Sequence, residues 1–342
     1  MKAVRFHVHG GPEVLRYEET PDPEPNSDEA LVRVKACALN HLDLWARNGL
    51  PNVEIPLPHI SGCDIAGKVE WVPAEEKEFK MGDEVVVNPG IACGRCERCL
   101  SGKDDQCRRY TVVGYGTDGG FAELVKVPRA NLIGKPGGMG FAQAASFPLV
   151  FLTAYHMLIT KAGLDATDTV LVLAANSGVG SAAIQLAKLQ GATVIATAGD
   201  ESKMERARWL GADYVIDHYK QDVLAEVKKI TDKRGVDVVV EHVGKATWEK
   251  SVKALAKGGR LVLCGATTGT EVATDLRYVY SKELTIYGSY MAGKGELLRV
   301  VELFKAGRLK TVVDSTFPLQ EAKEAETRLE KSEHFGKIVL IV

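Results

Sequence analysis

The chain has 342 residues, which is longer than most single domains and predicts two domains, each large enough for its own core. Its 43 basic and 45 acidic residues give a formal net charge of −2. That balance argues against a nucleic-acid binder, which normally carries a basic domain. The sequence has no run of eighteen apolar residues and begins with a strand-like, alternating segment instead of a secretory signal. We therefore expect a cytoplasmic protein without nucleic-acid or membrane partners.

The first third of the chain has the pattern of β-structure. Residues 30–38 alternate, with Val32 and Val34 on one face and basic residues on the other. Glycine, proline and aspartate interrupt the region at short intervals. This pattern is typical of many short strands joined by turns, so we expect a compact, barrel-like β domain over residues 1–133.

One loop of this region contains four cysteines with the spacing C-x2-C-x2-C-x7-C. Zinc prefers about four ligands in a tetrahedron, and short spacings let thiolates reach one ion without a folded core. Four thiolates leave no coordination position open, so the predicted site is a structural zinc, one per chain. An iron–sulfur cluster and metal-free or redox-active thiols are the alternatives. The predicted ligands are Cys93, Cys96, Cys99 and Cys107.

From about Asp168 the chain alternates between short apolar runs and amphipathic helices. This alternation is typical of a parallel sheet covered on both faces, so we expect a doubly wound α/β domain over residues 134–288. The tail, residues 289–342, ends in the apolar run KIVLIV, a strand that can rejoin the first domain. The predicted strands of the α/β domain are residues 169–175, 193–198, 214–217, 236–244, 260–266 and 284–290.

The first of these strands runs into a turn that can bind a pyrophosphate. Ala175 and Ser177 occupy the first two glycine positions of a GxGxxG frame, and Gly180 occupies the third. Gly178 and Val179 lie between them and open a helix whose N-terminal N–H groups can face a phosphate. Glycine is favoured here because a Cβ would block close approach. A βα turn that binds nothing is the alternative.

The end of the second strand bears on the choice of nucleotide. An NAD site usually carries an acidic residue at this strand tip to hold the ribose 2′-OH. Here the tip is Ala198, followed by Gly199, and the first carboxylate is Asp200. Ser202 and Lys203 offer room and charge for a 2′-phosphate, so the sequence favours NADP(H) over NAD(H). Alternatively, Lys203 is an ordinary solvated lysine on a helix.

Taken together, these motifs resemble the medium-chain dehydrogenase/reductase superfamily and, within it, the zinc-containing alcohol dehydrogenases. The resemblance implies a GroES-like catalytic domain that includes the structural-zinc lobe, a Rossmann NAD(P)-binding domain, and hydride transfer in the cleft between them. It also implies a homodimer or homotetramer. The similarity runs nearly end to end, through the cysteine lobe, the AANSGVG turn and residues 82–85, 119–123, 210–213 and 335–337.

The resemblance fails at the catalytic metal. Relatives with a catalytic zinc use a cysteine in a C-x-x-D-x-H segment and a His-Glu pair in a G-H-E segment. In this chain Asn40 and Trp45 stand at the cysteine and histidine of the first segment, and Cys63 and Asp64 replace the His-Glu pair. A catalytic zinc needs three protein ligands and one open position. The sequence therefore predicts no catalytic zinc.

An atypical catalytic zinc held by Cys63 and Asp64, with help from His41 or Asp43, is the alternative. The segment at residues 38–43 is similar to the quinone oxidoreductase branch of the superfamily, which works without a catalytic metal. Hydride transfer to an electrophilic acceptor needs only orientation and hydrogen bonds to the developing oxyanion.

The resemblance implies catalytic roles for Asn40 and Thr153, which would orient or polarise the substrate, and His41 is a candidate proton relay. The expected function is NAD(P)(H)-dependent hydride transfer between the nicotinamide and a small carbonyl, enone, quinone or alcohol. The alternatives are a zinc-dependent alcohol dehydrogenase with an atypical site and a nucleotide-binding structural or regulatory protein with little turnover. Further expected cofactor contacts are Val243, Gly265, Ala266, Gly288 and Ser289.

Overall fold

The computed structural model of the protein describes residues 1–51 and 53–342. It divides into two compact units. The first contains Met1–Leu149 together with Ala292–Val342, and the second contains Val150–Met291. The expected return of the chain to its first domain is thus present in the structure.

Both units contain strands, which we number in chain order. The strands are β1 Lys2–Arg5, β2 Arg16–Glu19, β3 Glu29–Ala38, β4 Asp64–Trp71, β5 Glu84–Val87, β6 Gly90–Ile91, β7 Thr111–Val112, β8 Leu124–Pro128, β9 Leu132–Gly134, β10 Thr169–Val172, β11 Thr193–Ala198, β12 Tyr214–Asp217, β13 Val236–Glu241, β14 Leu255–Leu263, β15 Thr285–Gly288, β16 Val313–Pro318 and β17 Lys337–Ile341.

The helices are numbered in the same way, and a π-helical turn at His156–Lys161 continues α4. The helices are α1 His41–Asn48, α2 Glu97–Leu100, α3 Phe141–Ala145, α4 Pro148–Tyr155, α5 Gly178–Leu189, α6 Glu201–Trp209, α7 Val223–Ile230, α8 Trp248–Ala254, α9 Leu276–Ser281, α10 Lys294–Lys305 and α11 Ala322–Glu330.

The first unit is built around a seven-stranded sheet. Its strand order is β16-β17-β3-β4-β5-β9, and β8 also pairs with β3. Strand β3 confirms the alternation read from the sequence, because Val32 and Val34 are buried in the core. The C-terminal strand β17 lies between β16 and β3. The last residues of the chain therefore complete the sheet of the first unit.

The predicted domain boundary after residue 133 differs from the boundary in the structure. Residues 134–149 belong to the first unit. The physical reason is helix α3, which packs against β3 and β4 of that unit. The second unit accordingly begins within α4, at Val150.

The second unit contains a six-stranded parallel sheet with the order β12-β11-β10-β13-β14-β15. This is the 3-2-1-4-5-6 order of a dinucleotide-binding fold, whose switch point lies between β10 and β13. The central strands are buried on both faces, which explains their continuous apolar runs. Strands β10 and β14 end at Val172 and Leu263, before the ends of the predicted runs, because the following residues form loops at the carboxyl edge of the sheet.

One helical stretch, Phe141–Lys161, is long and apolar enough by composition to cross a membrane. In the structure 72% of its most apolar window is buried within the protein. Its apolar composition is therefore accounted for by packing in the core.

Candidate functional site

The turn after β10 in the second unit has the geometry of a phosphate-binding loop. The Ala175 N–H donates to the Thr197 carbonyl at 2.8 Å, which ties the turn to β11. Ser177 caps α5, since its Oγ accepts from the Gly180 N–H at 2.8 Å. A Cβ on Gly180 would lie 2.3 Å from the Ala174 carbonyl oxygen. Glycine is thus required for the close helix–strand approach that leaves the helix N-terminus open to an anion.

The other predicted cofactor residues follow the carboxyl ends of neighbouring parallel strands, so they share one edge of this sheet. Ser289 is buried, and among the described residues its Oγ has no hydrogen-bond partner. A buried hydroxyl without a partner is costly unless a ligand or water satisfies it. The residues on this edge are Gly199 after β11, Val243 after β13, Gly265 and Ala266 after β14, and Gly288 and Ser289 at the end of β15.

Asp200 caps α6 at the end of β11. Its Oδ1 accepts from the Lys203 N–H at 2.9 Å, and its Oδ2 lies 3.3 Å from the Lys203 Nζ. These contacts with Lys203 lower the pKa of Asp200, which stays ionised at neutral pH. The lysine that the sequence assigned to a 2′-phosphate is therefore paired with the first carboxylate after the strand.

Two groups at this edge were missed by the sequence analysis. The buried Glu241 carboxylate accepts from the Val243 and Gly244 N–H groups and from the Thr247 and Ser251 hydroxyls, at 2.6–3.0 Å. It holds the loop that follows β13. His242 Nε2 lies 3.1 Å from the Leu173 carbonyl oxygen. The only signal in the sequence was a polar pair at the end of an otherwise apolar strand.

In the first unit, Asn40, Asp64 and Lys337 form a buried polar cluster. The Lys337 Nζ donates to the Asn40 Oδ1 at 2.5 Å and to the Asp64 Oδ2 at 3.0 Å. The Asn40 Nδ2 donates to the same Asp64 oxygen at 2.9 Å. Asn40 is 7% exposed, Asp64 0% and Lys337 4%. The amide thus presents its oxygen to a cation and its nitrogen to a carboxylate, which fixes its orientation.

Cys63 and Asp43 border this cluster. The Asn40 Nδ2 lies 3.3 Å from the Cys63 Sγ. Burial raises the pKa of Cys63 well above its ordinary value, so the thiol is neutral at pH 7. The Asp43 carboxylate accepts from the Asn40 N–H at 2.6 Å and from the Gly62 N–H at 3.0 Å. Asp43 thereby fixes both the start of α1, at its N-cap residue Asn40, and the loop before β4.

Asp43 gives a prediction about pH. Burial raises the pKa of Asp43 to about 7, above the ordinary value of 3.8. A raised carboxyl pKa stabilises the fold below the unfolded-state pKa, and this contribution is lost as the pH rises from about 4 through about 7. We expect Asp43→Asn to flatten the fall in the unfolding midpoint across this window, as measured by thermal melts at several pH values. An unchanged slope would contradict the raised pKa.

The remaining predicted catalytic residues lie in different units. His41 is the first residue of α1, next to Asn40, and its ring lies 6.5 Å from the Trp45 ring. Thr153 is a buried residue of α4 in the second unit. Their roles in catalysis stay predictions.

The four cysteines of the first unit converge as their spacing predicts. Their Sγ atoms all lie within 4.8 Å of one another, and the Cys96–Cys99 and Cys93–Cys99 sulfur distances are 3.4 and 3.8 Å. A tetrahedron with Zn–S bonds of about 2.3 Å has sulfur–sulfur edges of about 3.8 Å. The sulfur positions therefore fit a zinc ion.

The surroundings shift the pKa values of these thiols in opposite directions. The Arg95 N–H and the Arg109 side chain lower the pKa of Cys93 to about 5, which favours the thiolate. Burial and the neighbouring sulfurs raise the pKa of Cys99 to about 12. Four thiolates this close would repel one another, and a cation at their centre would offset that repulsion.

A catalytic metal does not fit the cluster around Asn40. Among residues 1–51 and 53–342, one group of three or more Cys, His, Asp or Glu side chains is arranged so that it could hold a metal ion, and this is the four-cysteine cluster. Neither Cys63 nor Asp64 belongs to it. The Lys337 ammonium already occupies the oxygens of Asn40 and Asp64. A divalent ion about 4 Å from that ammonium would meet a repulsion on the order of 8 kcal/mol at an effective dielectric constant of about 20.

Family models match two segments of the chain, and its relatives match it over nearly its whole length. Residues 26–137 match the family described as "Alcohol dehydrogenase GroES-like domain", and residues 178–306 match "Zinc-binding dehydrogenase". The NAD-dependent alcohol dehydrogenase of Saccharolobus solfataricus is 34% identical over the whole of both chains. The quinone oxidoreductase of Homo sapiens is 29% identical over 100% of this chain and 98% of its own. A crystal structure titled as an NAD-dependent alcohol dehydrogenase is 47% identical, with full coverage of both chains and a TM-score of 0.97.

The chain therefore belongs to the medium-chain dehydrogenase/reductase superfamily of oxidoreductases, as its motifs indicated. The α/β fold with a GroES-like and a Rossmann-type domain is confirmed.

Proposed function

We propose that this protein is a nicotinamide-dependent reductase of activated carbonyl compounds, such as quinones and enones, with a structural zinc and no catalytic metal. The observation that carries the proposal is the set of contacts among Asn40, Cys63 and Asp64, the three residues at the metal-ligand positions of the family. The Asn40 amide contacts both the Cys63 sulfur and the Asp64 carboxylate, and Lys337 donates to Asn40 and Asp64. Electrophilic acceptors such as quinones and enones can be reduced without a Lewis acid, so a site without a catalytic metal is suited to them.

The residues have separate tasks in this proposal. The bound nicotinamide supplies the hydride. The Asn40 Nδ2 donates to the Asp64 Oδ2 at 2.9 Å and to the Cys63 Sγ at 3.3 Å, and it lies 3.4 Å from the Ala38 carbonyl oxygen. In this proposal a substrate oxygen replaces the Cys63 or Ala38 contact and accepts from the same amide nitrogen. His41, at the start of α1, would supply or relay the proton that follows the hydride.

The proposed cofactor is NAD(H), bound by the turn at Ser177 and Gly180. The preference for NADP(H) expected from the sequence is not supported. The Lys203 ammonium is paired with Asp200, whose carboxylate caps α6 two residues after the end of β11, near the strand tip where an acidic group favours a ribose 2′-OH over a 2′-phosphate. The names of the relatives point the same way.

Alcohol dehydrogenase activity is the second candidate, because several relatives carry that name. The test is turnover of the zinc-loaded protein with NADH or NADPH on a quinone, a cyclic enone and a simple ketone, and with NAD on secondary alcohols. We expect quinone and enone reduction with NADH that survives mild chelation. Alcohol oxidation that is lost on chelation and restored by zinc would show a catalytic metal. Tight nucleotide binding without any turnover would favour a structural or regulatory role.

A cytoplasmic location is also proposed, and the seven unpaired cysteines fit a reducing compartment. The homodimer or homotetramer stays a prediction. It is supported by β15, an edge strand of the parallel sheet on which Ile286 is 40% exposed.

A further inference from the structure

Lys337 is a buried lysine whose role neither the motifs nor the relatives explain. It is the first residue of β17, and its side chain is 5% exposed. Its ammonium has three protons, and it makes three contacts: with the Leu39 carbonyl at 2.6 Å, the Asn40 Oδ1 at 2.5 Å and the Asp64 Oδ2 at 3.0 Å. No proton is left over for a substrate. Lys337 therefore acts through the residues that it holds.

The side-chain oxygens held by Lys337 are fully engaged. The Asp64 Oδ1 accepts from the Leu149 N–H at 2.7 Å, and its Oδ2 accepts from both Asn40 and Lys337. The ammonium neutralises a carboxylate that is entirely buried, and it uses up the oxygen of the Asn40 amide. The Cys63 sulfur, by contrast, contacts only the neutral Asn40 amide among these three side chains, at 3.3 Å.

We propose that Lys337 is a positioning residue that serves as the built-in cation of this site: it orients Asn40 and Asp64 and keeps a divalent metal ion away from Cys63 and Asp64. The Lys337 ammonium therefore provides the positive charge that a bound metal ion would provide in a zinc-dependent relative. This inference deepens the proposed function, since it explains how a metal-free site keeps its polar groups in place.

The first test uses the unaltered protein. The zinc-loaded chain is exchanged into excess Co²⁺, and metal per chain is measured by elemental analysis together with the visible absorption of cobalt–thiolate bonds. The proposal predicts one zinc per chain and no second metal. A second ion bound to Cys63 in the wild-type protein, shown by its loss in Cys63→Ser, would overturn the proposal.

The second test removes the cation. In Lys337→Met, the Asp64 carboxylate, the Asn40 oxygen and the Cys63 sulfur are released together, so we expect this variant to take up one additional Co²⁺ per chain. The double variant Lys337→Met/Cys63→Ser should return to one metal. Lys337→Arg, which keeps the charge, should also stay at one. Lys282→Met is the control, because the Lys282 ammonium also donates to backbone, to the carbonyls of Lys253 and Leu255, and Lys282 lies in the second unit, outside this cluster.

Turnover tests the positioning role of Lys337 independently of the metal content. Loss of the partner that orients Asn40 should lower kcat of Lys337→Met by about 10- to 100-fold, with a smaller change in KM. Folded Lys337→Met with wild-type kcat and no added metal would overturn the proposal. If no acceptor is reduced by any variant, the proposed function fails, whereas the metal counts still decide the role of Lys337. If Lys337→Met does not fold, the cobalt titration of wild type and Lys337→Arg decides it.

Discussion

Replacing Arg47 with methionine is expected to lower the free energy of unfolding of the first unit by about 3–5 kcal/mol at pH 9, where the Glu326 carboxyl group of the wild-type protein is ionised, because it breaks a buried ion pair from one side. The Arg47 and Glu326 side chains are both 0% exposed. Arg47 also bonds Glu330, and its Nε donates to the Gly10 carbonyl at 3.0 Å. The arginine thus joins α1, which begins at the candidate site, to α11. Thermal or denaturant unfolding measures the loss.

The loss of unfolding free energy caused by Arg47→Met should increase with pH. Burial raises the pKa of Glu326 to about 8 despite the attraction of Arg47, because the loss of hydration outweighs that attraction. Without Arg47 the carboxyl group holds its proton still more tightly, so ionising it above about pH 8 destabilises the variant further. We therefore expect a larger difference from wild type at pH 9 than at pH 6.

Two controls distinguish this pair from an ordinary arginine. Arg33→Met removes an exposed, bidentate contact with Glu70, in which both N–O distances are 2.9 Å, and it should cost less than about 1 kcal/mol. The double variant Arg47→Met/Glu326→Met should recover much of the loss, since an apolar pair leaves no buried charge. If Arg47→Met and Arg33→Met cost the same, the buried pair is not an important contributor to stability.

Loss of the zinc ligand set is the second large effect that we expect. In Cys96→Ser, zinc per chain should fall below one, and the first unit should lose stability. The lobe at residues 93–107 has few buried side chains, and α2 contains none. Without a hydrophobic core, the folding free energy of this lobe has to come from metal binding. A ligand present at about 1,000 times its dissociation constant stabilises a fold by about 4 kcal/mol.

The matched control is Cys264→Ser, which changes a cysteine of the second unit outside the cluster. That variant should retain one zinc per chain and the wild-type unfolding midpoint of the first unit. Elemental analysis and thermal melts with and without a chelator provide both measurements. Cys96→Ser with undiminished zinc content, or a wild-type protein whose melting does not respond to zinc removal, would contradict a structural zinc in this lobe.

Much of the architecture could be predicted because the relevant signals are local. The apolar runs at 193–198 and 214–217 are β11 and β12 with the predicted bounds. The cysteine spacing predicted the convergence of four sulfurs because a short loop restricts where its ligands can go. The need for glycine at position 180 could also be predicted from local sequence, because a Cβ there would collide with the backbone carbonyl of the nearby residue Ala174.

The pairing of charged residues that lie far apart in the sequence could be found only from the tertiary structure. Lys337 lies 273 positions from Asp64 in the sequence, and Glu326 lies 279 from Arg47, so no periodicity or motif pairs them. The sequence therefore determined the fold class, the four-cysteine lobe and the residues that replace the family's catalytic zinc ligands. Only the folded chain decided which charges meet, because the ion pairs around Asn40 and Arg47 form when the C-terminal residues return to the first unit and bury them together.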